Sequence, residues 1–149
     1  PVRNIQIVQN KDYAVILAEY FSLVRIVRLK GDHLVGQGRK WMGDSVGYYE
    51  GDSLVINTRY FRLEQSIGPM RSSNSFAVEE HYTRTGEDEI LFQYTVTDAN
   101  SYSQPFTAQI PLRRMAAGQR LYEYACHEGN YSIPSMLRAA RMEEQGLLN

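Results

Sequence analysis

Glu80, His127 and Tyr102 are the residues of this chain whose types suit acid–base chemistry. An imidazole exchanges a proton near neutral pH, a carboxylate beside it polarises the ring, and a phenol orients a substrate oxygen. With His127 as proton-transfer residue, Glu80 as its partner and Tyr102 as orienting donor, the matching reaction is a cofactor-independent elimination, hydration or isomerisation, the work of a lyase or isomerase. Glu80 stands out because an ideal strand sets it beside Phe76, Val78 and Tyr82 rather than among exposed acids. A carboxylate on an apolar face needs an arginine, hydrogen bonds or water, and Arg59, Arg84 and Arg113 are candidate partners. Each group also has a structural reading: an ion pair for Glu80, a turn-fixing hydrogen bond for His127, and ring packing for Tyr102 in a turn where Asp98 and Asn100 satisfy backbone donors.

The same region suits binding without turnover. Trp41, Glu80, Tyr82, Phe92, Tyr94 and Tyr102 combine aromatic surface with a few polar tips, the make-up of a pocket for an amphipathic small molecule. A small-molecule-binding or sensory module is therefore the first expectation, the lyase or isomerase its alternative. A structural or protein-interaction module, with the interior filled by its own rings, is the second alternative. Trp41 reads as a core plug or a pocket wall. No cofactor is implied, because no phosphate loop, dinucleotide fingerprint, nucleophile elbow or calcium loop is present. His33, His81 and His127 are too scattered to supply a zinc-ligand spacing. Cys126 and His127 are neighbours, so on a strand their side chains face opposite ways, which argues against a direct nucleophilic pair.

The elements that must position these groups are strands. Ile5-Gln6-Ile7-Val8 and the run 13–19 flank Gln9-Asn10-Lys11-Asp12 and read as a hairpin. The run 23–29 follows, with Arg25 and Arg28 out of two-residue phase, which points to a bulge or an imperfect strand. Runs 44–50 and 53–61 meet at Gly51-Asp52 as a second hairpin, and 75–84 pairs with 89–97 as a third. Residues 62–74 lose alternation and read as a surface loop or a pocket lid. Pro111 marks the run 106–112 as an edge strand or a bulged one. A further run spans 119–126, and Ser132 and Pro134 open a helix over Ser132–Glu144 that covers an open end of the sheet, with Met136 and Met142 as core anchors. About eight to ten β runs and one late helix predict a mainly β fold, an antiparallel β-barrel-like or strongly curved sandwich with a short C-terminal helix.

Composition narrows the classes. The 149 residues fit a single β-rich domain, and 43% hydrophobic content provides a core. Sixteen Lys and Arg against 17 Asp and Glu leave no basic footprint, so nucleic acid is not an expected partner. The longest apolar runs are too short for a transmembrane segment, and a soluble chain is expected. Cys126 is the only cysteine, which excludes an internal disulfide. An exposed β edge offers a route to a homo-oligomer.

Residues 41–58, running from Trp41-Met42-Gly43-Asp44-Ser45 through Glu50-Gly51-Asp52-Ser53-Leu54-Val55, resemble the central signature of a family of uncharacterised, often exported bacterial proteins. Glu80-His81-Tyr82-Thr83-Arg84, the stretch 97–107, and Glu123-Tyr124-Ala125-Cys126-His127-Glu128-Gly129-Asn130 follow in that family's order. Tyr49 and Phe106 stand where the family commonly has tryptophan. The resemblance implies an exported or periplasmic location and supplies no reaction or ligand.

Overall fold

The structure, a computed structural model, describes residues 4–65, 72–125 and 128–147. Its strands are β1 (Ile5–Gln9), β2 (Tyr13–Ala18), β3 (Leu23–Arg28), β4 (Asp44–Glu50), β5 (Ser53–Arg59), β6 (Ala77–Arg84), β7 (Glu89–Thr97) and β8 (Phe106–Arg113). They form one eight-stranded sheet in which every strand lies beside its sequence neighbours. Local chemistry sets the connections. Asn10 Oδ1 accepts from the backbone N–H groups of Asp12 and Tyr13, both at 2.8 Å, and turns β1 into β2. Glu50 faces Ser53, leaving Gly51-Asp52 as the β4–β5 turn. Every pairing is antiparallel except β3–β4, which is parallel over only Val27↔Ser45 and Arg28↔Val46.

The sheet is strongly curved and half-open, with β1 and β8 as its edges. Curvature is what brings Ala14 and Ile16 of β2 and Val27 of β3 into one buried cluster with Leu54 and Ile56 of β5, Tyr82 of β6 and Phe92 of β7. Fully burying an aliphatic side chain of this kind contributes about 1.5–3 kcal/mol. The row read from sequence in β5 holds, with Leu54, Ile56 and Thr58 together on the buried inner face, but Val55 on the opposite row is buried as well. Pro111 lies in edge strand β8, opposite Leu91, where its missing N–H leaves a partner strand unharmed. No bulge explains the phase break in β3, because its two arginines simply face opposite sides, each clamped by its own carboxylate.

Two expectations are corrected. Helix α1 (Ser132–Glu144) forms, but none of its residues is buried, and Met136 is 62% exposed rather than a core anchor. Its N-cap is Tyr131, without a side-chain cap bond. Nor is there a strand over 119–125; Cys126, the last residue of that run, lies outside the described residues. Residues 114–125 instead form a strap that leaves β8, passes beside Ile5 and Ile7, and reaches the end of β2. There the Tyr122 N–H donates to Glu19 Oε2 at 3.1 Å, and the Tyr124 ring lies 5.2 Å from Tyr20 and 4.7 Å from Phe21. The strap, not the helix, takes the seam between the sheet's edges. Among the described residues, no helix is long and apolar enough to cross a membrane.

Candidate functional site

The inner face of β6 carries a buried, doubly clamped carboxylate. Glu80 is 5% exposed and receives both guanidinium arms of Arg25, NH1 to Oε2 at 2.5 Å and NH2 to Oε1 at 2.9 Å. The Tyr82 hydroxyl donates to Oε1 at 3.3 Å, and Arg25 NH2 reaches that hydroxyl at 3.4 Å. Burial pushes the Tyr82 phenol well above its ordinary value, with the Glu80 charge adding to the effect and Arg25 opposing it, so the phenol remains a donor. Tyr82 stacks on Phe92 at 4.5 Å, and Phe92 meets Tyr94 at 5.6 Å. A forked, doubly bonded carboxylate of this kind is a fixed anion that ties β3 to β6 across the interior.

Glu80, Tyr82, Phe92 and Tyr94 are thus brought together, as their shared inward rows require. The expected partners of Glu80 are corrected. Arg59 donates to Asn57, Arg84 to the carbonyls of Gly86 and Glu87, and Arg113 lies 3.9 Å from Glu89. Trp41 is 54% exposed on the loop before β4, with the Arg62 guanidinium 5.3 Å from its ring. Tyr102 stands in the turn after β7, edge-on to Phe106 at 5.4 Å. His127 lies outside the described residues, and with it the Glu80–His127 pairing.

A second clamp, unread from sequence, surrounds Asp44 at the start of β4. Arg28 donates NH1 to Oδ1 and NH2 to Oδ2, both at 2.9 Å; the Leu34 N–H reaches Oδ2 at 3.1 Å, and His33 Nδ1 lies 3.0 Å from the same oxygen. The other ring nitrogen of His33 faces Asn57 Oδ1 at 3.3 Å. Arg28 holds the Asp44 carboxyl well below the usual carboxylate range, against burial and with help from Leu34 and His33. Ser45 and Thr58 share a buried hydrogen bond of 2.9 Å beside it. The out-of-phase Arg28 and the Gly43-Asp44-Ser45 block were the sequence signals, but nothing local joined them to His33.

Asp98 is the third fixed carboxylate, 2% exposed. It accepts from Ser73 N–H at 2.6 Å, Ser73 Oγ at 2.5 Å, Ser75 Oγ at 2.7 Å and Asn100 N–H at 3.2 Å. Burial alone would raise its pKa, and the serine hydrogen bonds overcome that and lower it. Asp44 and Asp98 both titrate lower folded than their unfolded value of about 4. Their stabilisation is therefore complete above that value and lost as pH falls through the folded one. Urea midpoints are expected to drop steeply below about pH 4, and Asp44→Asn and Asp98→Asn should each flatten that acid limb. An unchanged slope in both variants would refute these assignments.

A trough of about 510 Å³ opens at the seam of the half-open sheet. Ile5 and Ile7 of β1, Ile90 of β7, Leu112 of β8 and Leu121 of the strap supply its apolar lining. Arg84, Arg113, Arg114 and Arg120, with Glu87, Asp88 and Glu89, supply its charged lining. None of the six ring and carboxylate residues singled out for a pocket lines it; they occupy the packed interior, the loop before β4 or the turn after β7. The trough residues escaped sequence reading because they come from β1, the β6–β7 turn and the 112–121 stretch and meet only when the sheet curls. Among the described residues, no three His, Cys, Asp or Glu side chains are grouped as a metal site. No protein-family model, no curated protein and no solved structure matches the chain.

Proposed function

We propose that the protein is a noncatalytic binding module that takes an amphipathic small molecule into the seam trough between β1 and the β7–β8 end of the sheet. The observation that carries this reading is the trough itself: about 510 Å³, within the range of small-molecule sites, with an aliphatic lining on one part and charges on another. Such a lining removes the tail of a ligand from water and leaves its polar end at the rim. An acid–base reaction centred on Glu80 draws no support from a carboxylate whose two oxygens both accept from Arg25.

The test is displacement of an environment-sensitive anilinonaphthalene dye, read together with native mass spectrometry of the gently purified chain. Leu112→Trp, which fills the trough from β8, is expected to weaken dye binding by about tenfold or more, roughly 1.4 kcal/mol, while the melting temperature is retained. Dye binding that survives Leu112→Trp but is lost in Tyr94→Ala would move the site to the interior row and overturn the trough as its location.

A further inference from the structure

We infer that the ligand of the seam trough is an amphipathic carboxylate, its tail against the aliphatic lining and its head at Arg120. This rests on the binding reading above and adds the chemical class. Three of the four arginines of the trough are already engaged. Arg114 pairs with Asp88 at 2.7 Å and donates to the Glu87 carbonyl at 2.9 Å. Arg84 donates to the carbonyls of Gly86 and Glu87 at 3.1 and 3.2 Å, and Arg113 lies 3.9 Å from Glu89. Arg120 alone has no hydrogen-bond or ion-pair partner among the described residues.

The strap fixes where Arg120 stands. The Gln119 N–H donates to the Ala116 carbonyl at 3.0 Å, and the Ala116 N–H donates back to Gln119 Oε1 at 3.2 Å, closing a reciprocal turn just before it. Arg120 and Leu121 then line the same trough from consecutive positions, a cation beside an apolar group. Four arginines against Glu87, Asp88 and Glu89 leave the lining at +1, although the whole chain carries −1. The net excess of one positive charge matches a monoanion, and the planar fork of Arg120 matches the two oxygens of a carboxylate.

The experiment titrates the full chain with dodecanoate, dodecyl phosphate, dodecanol and dodecylamine below their micelle or solubility limits, by calorimetry. Dodecanoate is expected to bind about tenfold or more tighter than dodecanol and dodecylamine, and added salt should narrow that gap. Arg120→Gln should bring dodecanoate down to the dodecanol level, and Arg120→Lys should restore part of the loss as a point charge without the fork. Equal binding of dodecanol or dodecylamine, or undiminished dodecanoate binding in Arg120→Gln, would overturn the carboxylate inference while leaving the trough in place. Tighter binding of dodecyl phosphate would overturn the choice of a monoanionic head. Failure of all four probes would instead count against the trough as a binding site, and with it this inference.

Discussion

Arg25→Met is expected to lower the unfolding free energy by about 3–5 kcal/mol, because it strands the Glu80 carboxylate in the core without its counter-ion. The magnitude follows from the burial of both partners, whose side chains are 14% and 6% exposed, and from the two-armed geometry that a single substitution removes at once. Desolvation, not the lost attraction, dominates the cost. The double variant Arg25→Met/Glu80→Leu should therefore recover most of it, coming within about 1 kcal/mol of the parent, since an apolar replacement pays no such penalty. Tyr82→Phe in that background removes the hydroxyl that donated to Glu80 and should stabilise further. Denaturant midpoints at neutral pH decide it. A single Arg25→Met variant that unfolds with the parent would mean that the clamp is not formed.

Gly43→Ala is the second large effect, about 2–5 kcal/mol of destabilisation from backbone strain and overpacking together. Gly43 has φ +67°, and a Cβ there would stand 2.7 Å from both the Arg59 carbonyl oxygen and Thr58 Cγ2. Neither neighbour is a flexible tip: one is backbone of β5 and the other belongs to a fully buried threonine. Gly51 provides the internal comparison, with φ +55° but nothing within 4 Å of its would-be Cβ. Gly51→Ala should cost only the conformational part, about 1–2 kcal/mol. Equal losses at the two glycines would show that crowding at Gly43 contributes nothing.

The three hairpins, the edge position of Pro111 and the inward rows of β5, β6 and β7 were legible because they depend on neighbours within a few residues. Glu80 could be recognised as an acid on an apolar row for the same reason. Its partner could not. Arg25 lies 55 positions earlier, and only the accumulated curl of the sheet brings β3 opposite β6. The same limit hid the Asp44 clamp, where His33 arrives from an irregular loop, and the trough, where β1 meets β8 and the strap. Residues 119–125 misled in the other direction, since the alternate tyrosines Tyr122 and Tyr124 suit a strand but the segment pairs with neither edge of the sheet. They are held instead by the Tyr122 hydrogen bond to Glu19 and by ring contacts of Tyr124.

The parallel joint between β3 and β4 has a consequence for how the molecule comes apart. Only Val27↔Ser45 and Arg28↔Val46 are in register there, so β1–β3 and β4–β8 are two antiparallel ladders that can separate without either being unzipped. Side chains on the two faces of β3 resist that separation, Arg25 to Glu80 and Val27 against Gly47 inside and Arg28 to Asp44 outside, together with Ala14 and Ile16 in the shared core and the strap's bond to Glu19. The amides of the two ladders are accordingly expected to exchange as two units of cooperativity, and a common opening free energy across β1–β8 would refute that. Because Arg28 holds the Asp44 carboxyl well below the usual carboxylate range, the outer fastening should persist until strongly acidic pH, and its loss there should show as faster exchange of the β1–β3 amides.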